Sequence, residues 1–125
     1  MEKLVFSLLF FLSLNSHATS QSEYKNHVLN KVINVNCKGY AHYKLPSGHK
    51  VYCLTDKYIQ TYGFAKDYKN ILNRVIDIGS ITDRKPHIVL ICSDIAKCNQ
   101  SANKINNFTK RNNLKSIQIS AVVSL

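Results

Sequence analysis

Acidic residues are scarce in this chain: seven Asp and Glu stand against seventeen Lys and Arg, a formal charge of +10. Such an excess on a small protein draws anionic partners, an acidic protein or an anionic surface among them. Arginine is scarce too. Arg74, Arg84 and Arg111 are the only three, set in a background rich in Lys, Asn and Ile of the kind an AT-rich genome produces. Lysine reads phosphates less well in bidentate fashion than arginine does, so specific nucleic-acid binding is not expected.

Other absences exclude chemistries. The chain has no G-x-S-x-G, P-loop, G-x-G-x-x-G or H-E-x-x-H pattern, which removes the sequence grounds for an α/β-hydrolase, a nucleotide-phosphate loop, a dinucleotide fold or a zinc peptidase. Beyond the N-terminus, Glu23, Asp56, Asp67, Asp77, Asp83 and Asp94 are dispersed with no close pair. Asp56, Asp67 and Asp94 fall near expected helix starts, where the helix dipole accounts for them. There is no C-x-x-C, and the spacings Cys37 to Cys53 and Cys92 to Cys98 suit neither a zinc site nor a thioredoxin-like dithiol. No metal and no cofactor are expected.

What is present begins with an export signal. Lys3 precedes the apolar run Leu4 to Leu14, and Ser16-His17-Ala18 offers small residues at the −3 and −1 positions of a cleavage site, with Ala18-Thr19-Ser20 as a second triplet. The run is too short for a membrane span, which takes about 20 apolar residues. Residues 1–18 are therefore read as a signal peptide cleaved after Ala18, and 19–125 as one domain in the periplasm or outside the cell. No later stretch is apolar enough to span a membrane. All four cysteines follow the signal, and an even count in an oxidising compartment points to two disulfides. Three connectivities are open from sequence alone, with Cys37–Cys53 and Cys92–Cys98 favoured by placement.

Periodicity outlines the domain. Tyr24, Val28, Leu29, Val32, Ile33 and Val35 recur at helical spacing behind Ser22, a candidate cap. Tyr40 to Leu45 and His49 to Leu54 flank Pro46-Ser47-Gly48, a hairpin turn signal that suits a type I turn closed by a bulge. Pairing Leu45 with His49 sets Tyr43 opposite Val51 and Ala41 opposite Cys53. Thr55 caps an expected short helix that runs through Tyr62 and stops at Gly63. A longer helix, Ala65 to Ile78, carries the stripe Phe64, Tyr68, Ile71, Leu72, Val75 and Ile76, with Gly79 as its expected cap. Ile88 to Cys92 read as a strand buried on both faces. Ser93 or Asp94 starts a helix to about Arg111 with Ile95, Cys98, Ala102, Ile105 and Phe108 inward. Asn112-Asn113 suits a left-handed turn. A last strand turns Ile117, Ile119, Ala121 and Val123 inward, parallel to the preceding strand as a βαβ unit requires. The expected fold is α+β, in the order α-β-β-α-α-β-α-β, with a four-stranded mixed sheet.

Two functions compete. Strict alternation puts Tyr40, His42, Lys44, Lys50 and Tyr52 on one hairpin face, where stiff amphipathic rings among cations suit a protein partner. The leading expectation is thus a noncatalytic binding protein of the cell envelope, an inhibitor or immunity-type partner of another exported protein or an accessory part of an envelope or secretion machine. The alternative is a small secreted toxin or hydrolase. Its most concrete form is a basic metal-free ribonuclease, which needs two His as acid and base with a Lys for the phosphate charge. His42 and His49 are near in this hairpin but face opposite ways in that register. Asn99-Gln100-Ser101 and Asn107-Phe108-Thr109 match the N-glycosylation pattern, but both lie in the last expected helix, Phe108 on its inward stripe.

Overall fold

The computed structural model describes residues 23–124. The expected signal peptide, its expected cleavage site and the candidate cap Ser22 lie outside that range. The order is a helix α1 at 23–36, strands β1 (Tyr40–Lys44), β2 (Lys50–Leu54) and β3 (Tyr58–Phe64), a 3-10 turn (Ala65–Asp67), α2 (Tyr68–Gly79), β4 (Lys85–Cys92), α3 (Ile95–Arg111) and β5 (Gln118–Val123). This is a small α+β domain with one mixed sheet of five strands in the order β1-β2-β3-β4-β5. β1, β2 and β3 pair antiparallel, whereas β3, β4 and β5 run parallel.

The fifth strand corrects the expected helix from Thr55 to Tyr62. Thr55 does make the bond of a helix cap, its Oγ1 accepting from Tyr58 N at 2.9 Å, but its own N–H donates to Tyr58 O at 2.9 Å and closes a tight turn. Tyr58-Ile59-Gln60-Thr61-Tyr62 is rich in aromatic and β-branched residues that favour a strand, and pairing with β4 over seven residues decides the matter. Asp56 accordingly sits in a strand turn, with no helix to start. Gly63 is no helix stop either. A Cβ there would lie 2.5 Å from Ile71 Cδ1, so the glycine lets α2 close on β3.

β3, α2 and β4 form one crossover, and β4, α3 and β5 a second. Both step the sheet the same way, and right-handed connections then place both helices on one face. Ile88 and Leu90 pack there with Ile71, Leu72, Val75, Cys98 and Ile105. On the other face, Val89 and Ile91 meet Val32 and Ile33 of α1 together with Tyr62 and Cys53. The unbroken apolar run of β4 follows from this, since the strand is covered on both sides.

The helical stripes are rotated from their expected positions. In α1, Val32 and Ile33 are buried while Tyr24 and Val35 are exposed. In α2, Ile71, Leu72, Val75 and Ile78 are buried, Ile76 is exposed, and Ser80 takes the cap position expected of Gly79. In α3, Asp94 accepts from Lys97 N at 3.0 Å as the cap, and the inward row is Cys98, Ser101, Ile105 and Thr109. Ile95 and Phe108 lie outward. In the edge strand β5, Ile119 reaches the α2–α3 core and Val122 the α1 core, while Val123 is exposed.

The hairpin follows its expected register, with Tyr43 opposite Val51 and Ala41 opposite Cys53. Gly48 has φ +93° in the turn, and Asn113 φ +53° after α3. Disulfides join Cys37 to Cys53 and Cys92 to Cys98, with Cα separations of 5.8 and 5.7 Å. The first ties the end of α1 to β2. The second ties the end of β4 to the first turn of α3.

Candidate functional site

His42 decides the shape of the hairpin surface. In a regular strand, residues 40 and 43 point to opposite faces. His42, however, has φ +53°, a left-handed conformation uncommon for a side chain of its kind. The alternation breaks there, and the Tyr40 and Tyr43 rings come to 5.9 Å between centroids. Both then line a groove of about 750 Å3 with Tyr58, Lys38, Lys57 and Arg84. Tyr40 is 70% exposed. Asp56 is the single carboxylate among the described residues of the lining.

The groove is built on fixed parts. Arg84 Nη1 donates to Thr55 O at 2.6 Å, which fastens the start of β4 to the β2–β3 turn. Lys85 N donates to Lys57 O at 3.1 Å beside it. Gly39 forms the floor, and a Cβ there would run into the Leu54 carbonyl oxygen. Because that obstacle is backbone, Gly39→Ala is expected to lower stability by about 1–3 kcal/mol, read as a drop in urea midpoint at unchanged slope. β1 forms the outer edge of the sheet beside the groove and is exposed along its whole length.

The five residues expected to share a face are distributed otherwise. Tyr40 alone among them lines the groove. Lys44 and Lys50 sit opposite one another across the exposed end of the hairpin. Tyr52 is half-buried: the Arg74 guanidinium of α2 lies 4.5 Å from its ring centroid, and the Tyr62 ring meets it edge-on at 6.5 Å. Arg74 also donates to the Lys50 carbonyl at 2.9 Å, so this end of the face is engaged by α2. His42 is exposed, while His49 Nδ1 lies 3.1 Å from Ser47 Oγ within the turn. Alternation on its own could not find Tyr43 and Tyr58, because the first depends on the φ of His42 and the second on a strand read as a helix. The recoverable signal was the density of tyrosines at 40, 43 and 58, flanked by Lys38 and Lys57.

Behind the groove runs a chain of polar side chains across three strands. Tyr62 O–H donates to Gln60 Oε1 at 2.7 Å, Gln60 Nε2 meets His87 Nδ1 at 3.0 Å, and His87 Nε2 meets Ser120 Oγ at 2.8 Å. The pairings Gln60 to His87 and Val89 to Ser120 place all four on the α1 face. Tyr58 packs edge-on against His87 at 5.6 Å and so joins the chain to the groove wall. Burial pushes the Tyr62 hydroxyl up to about 12 and holds the His87 imidazole below its ordinary value. Both groups are thus kept neutral.

The Ser–His contact resembles the start of a nucleophilic triad, but its proton runs the wrong way. Gln60 Oε1 is taken by the tyrosine O–H, so its amide donates to Nδ1 and the ring proton sits on Nε2, directed at Ser120. A general base needs Nε2 free to accept. Arranged in this way, the chain of bonds fixes the sheet without activating Ser120. Among the described residues, no group of His, Cys, Asp and Glu is placed to hold a metal ion. No helix among them is long and apolar enough to cross a membrane. No protein-family model, curated protein or solved structure matches the chain, so its functional reading rests on the chemistry of these residues.

Proposed function

We propose that the chain is an exported, noncatalytic binding protein that holds an acidic segment of another exported or envelope protein in the tyrosine groove. The observation that carries this is the convergence of Tyr40, Tyr43 and Tyr58 with Lys38, Lys57 and Arg84 around a single carboxylate, Asp56. Tyrosine and arginine are the residues that most often anchor protein interfaces, and three cations against one acid select a negatively charged partner. The exposed outer edge of β1 supports the same reading, since a segment that adds to a sheet edge gains main-chain hydrogen bonds while its side chains enter the neighbouring pocket. Two disulfides suit a protein that works in an oxidising compartment. Such a binder serves as an inhibitor or immunity-type partner, or as an accessory part of an envelope machine.

The test is retention of a stoichiometric partner from periplasmic extract by the exported protein, followed by its affinity for Tyr40→Ala/Tyr43→Ala and for Lys57→Glu. Both rings are surface groups on a hairpin held by a disulfide, so the variants should fold. The double tyrosine variant is expected to weaken binding at least 30-fold, from about 1 kcal/mol or more for each anchor. Lys57→Glu should weaken it further as salt is lowered. A partner held equally by wild type and variants would refute the groove as its site. Degradation of RNA by the purified chain, lost on His42→Ala, would instead favour the secreted ribonuclease.

A further inference from the structure

At the opposite end of the sheet from the tyrosine groove, the carboxyl ends of β3 and β4 and the start of α3 enclose a second cleft of about 660 Å3. Its floor is apolar and aromatic, made by Phe64, Tyr68 and Ile91, and its rim carries Lys66, Lys97 and Lys104. Among the described residues, no carboxylate lines it. Lys97, Gln100, Ser101 and Lys104 fall on one face of α3 by their spacing of three, four and seven residues. Lys104 Nζ stands 5.4 Å from the Tyr68 ring centroid, a cation over the aromatic part of the floor. Lys97 Nζ reaches Ser93 Oγ at 3.3 Å and lies 4.0 Å from the Asp94 carboxylate, both exposed. That carboxylate accepts from Lys97 N as the helix cap.

We propose that this cleft binds a small phosphate monoester with a flat organic body, an aryl or nucleoside phosphate, with the phosphate among the three lysines and the ring on Phe64 and Tyr68. Lys97 shares its charge with the Asp94 carboxylate, and Lys66 and Lys104 add two further ammonium groups, so the opening is positively charged. A phosphate dianion meets that charge, and lysine is an established point-charge partner for phosphate. The apolar floor requires a ligand with an apolar part, since an inorganic ion leaves it uncovered. The volume suits a small molecule. The cleft lies outside the carboxyl ends of the parallel strands β3 and β4, where backbone ends and side chains converge on one opening. Its walls are fixed before any ligand arrives. The Cys92–Cys98 disulfide pins the start of α3 to β4, and Ser101 Oγ donates to Ala65 O at 2.8 Å across the floor. A site held in this way loses little freedom on binding.

The test is calorimetric titration of the disulfide-intact protein with phenyl phosphate, adenosine 5′-monophosphate, adenosine and inorganic phosphate at physiological salt. At least one of the two monoesters is expected to bind ten or more times tighter than adenosine and inorganic phosphate. Lys97→Gln/Lys104→Gln should abolish that advantage, whereas Lys44→Gln/Lys50→Gln, an equal loss of charge on the hairpin, should leave it intact. Equal losses in the two double variants would reduce the effect to overall charge and overturn the proposal. So would the absence of binding by both monoesters at millimolar concentration, or preference for a single-stranded oligonucleotide with the same lysine dependence. The outcome is independent of the tyrosine groove, whose residues none of these variants touches.

Discussion

Replacement of Cys37 and Cys53 together by alanine is expected to destabilise the domain by about 3 kcal/mol, and replacement of Cys92 and Cys98 by about 2 kcal/mol. The difference comes from the loops closed, with sequence separations of 16 and 6 residues, because a longer loop removes more freedom from the unfolded chain. Against the 5–15 kcal/mol of a typical domain, either loss is large. The two should also differ in where they act. Cys37 follows α1, its N–H bonded to Ile33 O at 2.8 Å, and without the bridge α1 is held to the sheet by the apolar contacts of Val28, Leu29, Val32 and Ile33. Amide exchange in the Cys37→Ala/Cys53→Ala variant should therefore rise first in α1, while β4 and α3 stay protected. Native protein should weigh four hydrogens less than its reduced form, and urea unfolding should rank the variants in the order given. A fully reduced native mass, or two variants each within 1 kcal/mol of the parent, would show that the bridges do not staple this fold.

The parts of the fold that could be read from sequence are those in which one local signal had no rival. Pro46-Ser47-Gly48 between two alternating runs produced the hairpin and its register. The apolar run from Ile88 to Cys92 produced a strand covered on both faces, and the positions of the cysteines favoured the pairing that forms. Thr55 to Tyr62 failed because its two signals conflict. A threonine that bonds the third amide onward begins helices and tight turns alike, and only the long-range pairing of β3 with β4 separates them. The rotation of α3 has a related cause. Ser101 and Thr109 are polar in sequence yet take inward positions, because Ser101 satisfies its hydroxyl on Ala65 O and Thr109 on Asn106 O. A hydrophobicity pattern has no means of anticipating such bonds. The tyrosine groove was hidden by a backbone event, the left-handed φ at His42. The lysine cleft was hidden by topology, since Lys66 and Lys97 come to line one opening only after β3, β4 and their crossovers are in place.

His87 gives the domain an acid limit. In the folded chain burial holds the imidazole pKa below its ordinary value, and its two ring nitrogens are engaged by Gln60 and Ser120. An unfolded chain takes up this proton below about pH 6.5, before the folded one does. The stability linked to His87 is therefore complete above that pH and is lost as the pH falls through the window between the unfolded and folded values. Protonation would also set a second donor against the Gln60 amide, which already donates to Nδ1. That breaks the bond in the middle of the chain from Tyr62 to Ser120. His87→Gln, neutral throughout, should remove this component, so that its unfolding midpoint falls less than that of the parent between pH 7.5 and 5. His87→Ala removes the ring and leaves Gln60 and Ser120 without their shared partner, at a cost of about 3 kcal/mol at neutral pH. Parallel pH profiles for the parent and His87→Gln would place the acid sensitivity elsewhere. A full effect would carry a consequence for the groove, because Tyr58 packs edge-on against His87. Affinity for an acidic partner should then decline as the pH falls in the parent and hold better in His87→Gln.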